Sequence, residues 1–135
     1  MVTRAMYVFL LAVALVGCSH AIQLRSDPRI PAATGVVDAQ TGPNGNIKLK
    51  VMVEHLAPPF KLRPGATTYV VWAKLGAEGA TPQNLGALRV NDSLSGSLET
   101  VTPLRAFSIF LSPEESPLVP SPTADPLMMT PINRR

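Results

Sequence analysis

The chain has 135 residues, with 12 Lys and Arg against nine Asp and Glu and a formal net charge of +3. So weak a positive excess argues against nucleic acid as a partner, and a single cysteine excludes an internal disulfide or a site built on several thiolates. Fourteen prolines against nine glycines interrupt the chain too often for long helices.

The chain opens on Arg4 and then an unbroken apolar run over residues 7–16. That length fits the apolar segment of a secretory leader and falls well short of the roughly 20 residues a spanning helix needs. The run ends at Leu15-Val16-Gly17-Cys18, which resembles the lipobox of a bacterial lipoprotein signal peptide. The resemblance implies cleavage before Cys18, acylation of its thiol and a membrane tether outside the cytoplasm. Ser19 at the next position implies, for a Gram-negative host, the periplasmic face of the outer membrane. Removing residues 1–17 leaves 118 residues, in which 11 basic against nine acidic residues give +2. Residues 18–32 read as the lipidated cysteine and a flexible linker that lifts the domain off the bilayer. Residues 33–135 read as one domain with a Pro-rich C-terminal part.

From residue 33 the period becomes two, bounded by turn residues. Residues 34–39 form the first predicted strand, and Asn44-Gly45 marks a turn suited to positive φ. Over residues 47–54, Ile47, Leu49, Val51 and Val53 alternate with Lys48, Lys50, Met52 and Glu54, a half-buried antiparallel strand. Pro58, Pro59 and Pro64 make residues 55–65 a crossing loop. Residues 67–75 are bulky at both parities, which predicts a central strand. Further strands are read at 85–90, 93–101 and 107–111, with a short return at 127–130. Residues 112–126, with five prolines, read as a loop whose removal leaves the fold nearly intact.

Six to seven short strands predict an all-β, immunoglobulin-like antiparallel β-sandwich, with a small open barrel as the alternative. No cysteine pair is available for its core, so Trp72 is the candidate plug.

Tyr69-Val70-Val71-Trp72, Leu85-Gly86-Ala87-Leu88-Arg89-Val90 and Ser95-Gly96-Ser97-Leu98 form an ordered series of short motifs. Ala106-Phe107-Ser108-Ile109-Phe110-Leu111 and Pro113-Glu114-Glu115-Ser116 complete it. The series resembles the extracytoplasmic C-terminal domain of anti-sigma-K factors, over roughly half the chain. It implies a sandwich held near a membrane. Such factors also carry a cytoplasmic sigma-binding part and a spanning helix, which have no counterpart in this sequence, so sigma-factor inhibition is not carried over.

Candidates for chemistry are few. His20 lies beside Cys18, and His55 ends a strand with no second ligand at a useful spacing. Ser95-Gly96-Ser97 lacks the frame of a nucleophile elbow, and no phosphate loop is present. Glu114-Glu115 reads as a solvated acidic pair, with cation binding as the functional alternative. The sequence therefore predicts no catalytic residues, no metal and no cofactor. Lys48, Lys50, Lys61 and Arg63 read as a solvent face, with a basic patch toward anionic lipid as the alternative.

The expected function is a non-catalytic, lipid-anchored envelope module that binds or scaffolds another envelope protein. The membrane is engaged through Cys18. The candidate partner-binding residues are Pro59, Phe60, Lys61 and Arg63 in one loop and Glu114 and Glu115 in the other, because a rigid sandwich presents function on its loops. A sandwich binding a small sugar or ion is the alternative.

Overall fold

The computed structural model describes residues 21–25 and 27–133. Its elements in chain order are β1 Ala21–Leu24, β2 Thr34–Thr41, β3 Ile47–Glu54, α1 Pro59–Leu62, β4 Thr68–Lys74, β5 Gln83–Ala87, β6 Arg89–Val90, β7 Gly96–Thr102, β8 Ala106–Glu114 and β9 Met128–Asn133. Strands β1-β2-β3-β7-β6 form one antiparallel sheet and β5-β4-β8-β9 the other. With β1 set aside, β2-β3-β7-β6 and β4-β8-β9 reproduce the two sheets of an immunoglobulin-like sandwich, with β5 added at an edge. Among the described residues, nine strands stand where six or seven were expected. Among the described residues, no helix is long and apolar enough to cross a membrane.

The alternation in β3 dictates its position. Ile47, Leu49, Val51 and Val53 are buried against the second sheet, while Lys48, Lys50, Met52 and Glu54 face solvent. Each such buried aliphatic side chain contributes about 1.5–3 kcal/mol. Opposite them lie Tyr69, Val71 and Ala73 of β4, Ile109 and Leu111 of β8, and Met128 and Ile132 of β9.

Strand β4 is central, between β5 and β8, and both its parities are buried. Tyr69, rather than Trp72, is its bulky contribution to the sandwich core. Trp72 is fully buried on the opposite face, with Val70 and Phe110, in a second cluster against Val119. Its ring stacks on Phe110 with centroids 6.5 Å apart. The second cluster exists because residues 115–126 fold back over the outer face of the sheet. These residues are a structural layer, so their removal strips Trp72 and Phe110 of cover, contrary to the expectation of a dispensable loop.

Other differences have local causes. Strand β1 falls within the segment read as linker. Only Leu24 of its four residues is buried, so it carries almost no hydrophobic period. The strand read at residues 85–90 breaks at Leu88, which plugs the core as the chain passes from one sheet to the other. A bulge opposite Val71 and Trp72 leaves Leu85 unpaired, and Gly86 takes φ +128° beside it. Strand β8 continues through Ser112-Pro113-Glu114. Pro113 is tolerated there because β9 has ended at Met128, opposite Leu111, and no neighbour requires its N–H.

The sandwich has two distinct ends. Residues 42–46, 75–82 and 103–105 connect strands at one, called here the turn end. Residues 55–67, 91–95 and the start of 115–127 gather at the other, the loop end.

Candidate functional site

The two loops singled out from the sequence meet at the loop end. Pro58 and Pro59 open the single turn of α1, which Lys61 and Leu62 complete. The chain then turns through Gly65, at φ +83°, into β4. Thr67 donates its backbone N–H to the Glu114 carbonyl at 2.9 Å and its hydroxyl to the Glu115 carbonyl at 2.8 Å. Arg63 joins the loops by charge. Its Nη1 lies 3.7 Å from Oε2 of Glu114, and its Nη2 lies 3.6 Å from Oε1 of Glu115. Nη1 is buried and makes no hydrogen bond within the described residues.

Glu114 was expected at a solvated surface, and its side chain is instead fully buried. It faces outward from β8, and the returning chain closes over it. The Ser112 hydroxyl donates to its Oε1 at 2.7 Å, and the Thr123 backbone N–H donates to the same oxygen at 2.9 Å. The Thr123 hydroxyl donates to Oε2. Ser112 in turn accepts the Trp72 indole N–H at 2.9 Å. Burial pushes the Glu114 pKa upward. The hydrogen bonds from the Thr123 hydroxyl, Ser112 and the Thr123 backbone, with the Arg63 charge, outweigh it and hold the carboxyl below its usual range. This network fastens residues 115–126 to the sheet. Asn84 of β5 adds two anchors, donating to the carbonyls of Pro117 at 2.9 Å and Val119 at 3.0 Å.

What remains at the surface of this end is apolar and of mixed charge. Phe60 is 61% exposed on α1 and Leu118 is 86% exposed in the covering segment. Lys61 and Glu115 are exposed, Pro59 is half-buried, and Arg63 is half-buried in its ion pairs. Thus Phe60 and Lys61 form the display of this end, while Arg63 and Glu114 hold the loops beneath it; Leu118 lies over the outer face of the second sheet, where Pro117 and Val119 are bonded to Asn84, the partner of Trp72. Leu118 was missed in the sequence because nothing distinguished it among the prolines. The buried role of Glu114 had one legible signal: Phe110, Ser112 and Glu114 share a parity, facing Trp72 and Val70 on a strand that is bulky on both sides.

The other sequence candidates are dispersed. Cys18 and His20 lie outside the described residues. His55 is exposed at φ 57°. Lys48 and Lys50 lie on the outer face of the first sheet, remote in register from Lys61 and Arg63, so the four make no single patch. Asp38, Lys50 and Glu99 stand directly opposite one another across β2, β3 and β7, and Lys50 Nζ is 3.8 Å from Glu99 Oε1. The three charges of that row sum to −1, so it is not a basic patch. The open depression there is lined by Asp38, Gln40, Lys48, Lys50 and Glu99. Among the described residues, no group of three or more His, Cys, Asp or Glu is placed to hold a metal ion.

Comparison of the chain with protein-family models, curated proteins and solved structures gives no match.

Proposed function

We propose that this protein is a lipid-anchored, non-catalytic module of the cell envelope that binds another envelope protein through the loop end of its sandwich. The observation that carries this reading is the union of loops 55–67 and 115–126 by Arg63, Glu114 and Thr67 beneath exposed Phe60. Large apolar side chains held out to solvent on a pre-ordered support favour association, because little conformational entropy is lost when they are covered. The Leu15-Val16-Gly17-Cys18 motif supports acylation at Cys18. Acyl chains confine the domain to one surface and raise the effective concentration of weak contacts there.

A photo-crosslinking residue at Phe60 or Lys61, expressed in the native host, tests the reading. The expected result is a discrete adduct from these positions and none from Val101, which is 59% exposed on the sheet face. Adducts from Val101 alone, or none from the loop end, overturn it.

A further inference from the structure

We propose that the turn end is a docking surface for anionic lipid headgroups and holds the sandwich upright with its loop end away from the bilayer. The inference rests on the acylation of Cys18 proposed above. Its first support is the direction of the chain. Strand β1 runs antiparallel to β2, with Ala21 opposite Asp38 and Leu24 opposite Gly35. The chain therefore enters the sandwich from the side of the turn end. Cys18 precedes Ala21 by three residues, which span about 11 Å at most. Strand β2 continues past Asp38 to Thr41 in that same direction, about 10 Å at strand rise, before the 42–46 turn begins. A bilayer reached by Cys18 is therefore also within reach of the turn. Strand β1 begins inside the segment read as linker, so three residues separate Cys18 from the sandwich.

Charge supplies the second support. Lys48, Lys74 and Arg105 are all exposed near the turn end. A Cβ built at Gly45 would fall 2.8 Å from Nη2 of Arg105, so that guanidinium lies across the turn. The acid in the loops of this end is Glu78, in residues 75–82, and Lys48 also shares its outer-face depression with Asp38 and Glu99. The ion pairs of the described residues lie elsewhere: Asp27 with Arg29, Lys50 with Glu99, and Arg63 with Glu114 and Glu115. Lys48, Lys74 and Arg105 thus keep their charge for an outside partner. The loop end, by contrast, sets Glu54, Asp92, Glu114 and Glu115 against Lys61, Arg63 and Arg89 and has no basic excess. Basic side chains within a Debye length of an anionic leaflet each add to its attraction. On an acylated chain they supply the second signal that fixes orientation as well as location.

The test uses the full acylated protein, purified from membranes and reconstituted into vesicles. One set contains phosphatidylglycerol with phosphatidylcholine, the other phosphatidylcholine alone, both with a headgroup-level quencher lipid. With Cys18 acylated, Asn44→Cys or Ser93→Cys provides a single labelling site for a fluorophore, position 93 being exposed in the 91–95 turn of the loop end. The expected result is strong quenching at position 44 and weak quenching at position 93 in anionic vesicles. Quenching at 44 should fall in phosphatidylcholine and in high salt. It should fall likewise in a K48Q/K74Q/R105Q variant of unchanged circular dichroism, with the upright population losing roughly a hundredfold in relative weight at about fivefold per charge. Quenching at 44 that ignores lipid charge and the triple variant, or stronger quenching at 93, overturns the docking surface. An intact mass lacking acyl groups on Cys18 overturns the anchored reading itself, so the two failures are distinguishable.

Discussion

Thr123 grips Glu114 with two donors, its backbone N–H at 2.9 Å from Oε1 and its hydroxyl on Oε2. This contact closes the covering segment over a carboxylate with no solvent exposure. Glu114→Gln removes the charge facing Arg63 and turns an amide N–H₂ toward donors. The expected cost is about 2–4 kcal/mol, since a buried charged hydrogen-bond network is broken on one side. Urea unfolding followed by Trp72 fluorescence measures it, and an unchanged midpoint would contradict the role assigned to Glu114.

Acid should weaken the same contact. The folded-state pKa of Glu114 lies below its unfolded value, so its contribution is complete above the ordinary glutamate range and is lost as pH falls through the folded value. Asp27 behaves alike. The side-chain and backbone hydrogen bonds from Arg29 lower it from 3.8 to about 2, so its contribution fades across that interval. Urea midpoints should therefore decline as pH falls below about 4.5. The decline should be shallower in Glu114→Gln, and equal slopes would count against the assignment.

The cover should report through the only tryptophan. Replacing residues 116–122 with a short Gly-Ser link uncovers Trp72, Phe110 and Val70. A red-shifted emission, easier acrylamide quenching and a loss of several kcal/mol are expected, at about 1.5–3 kcal/mol for each large apolar side chain uncovered. Asn84→Ala, which removes the bonds to Pro117 and Val119, should raise quenching with a smaller loss of stability. Wild-type emission in the replaced variant would mean that the segment is not a cover.

At Gly86 the bulge requires φ +128°, and a Cβ there would lie 3.1 Å from Cδ1 of Leu98. Gly86→Ala should cost about 1–3 kcal/mol, because an alanine at that φ is strained whatever space it finds. Thermal melting checks this. Gly76, whose added Cβ would meet nothing within 4 Å, serves as the control, with Gly76→Ala near neutral.

Much of the sandwich was legible. Strand β3 was read with its observed ends because every second residue is aliphatic, and β4 was read as central because both its faces are bulky. What escaped depended on partners distant in sequence. Strand β1 is recognisable only by its ladder to β2, and the extension of β8 only by its ladder to β4. Glu114 looked solvated because nothing local shows that Thr123 will close over it or that Arg63, 51 positions earlier, will face it. The loops of the candidate site were legible as the longest Pro-rich segments. Their union was not, because it depends on which strands share an end.

The most direct measurement is the intact mass of the protein isolated from the membranes of its own host, with the N-terminal peptide sequenced. The account predicts a chain that starts at Cys18 and carries thioether-linked acyl groups. A chain retaining Met1, or one with an unmodified thiol at Cys18, would contradict it.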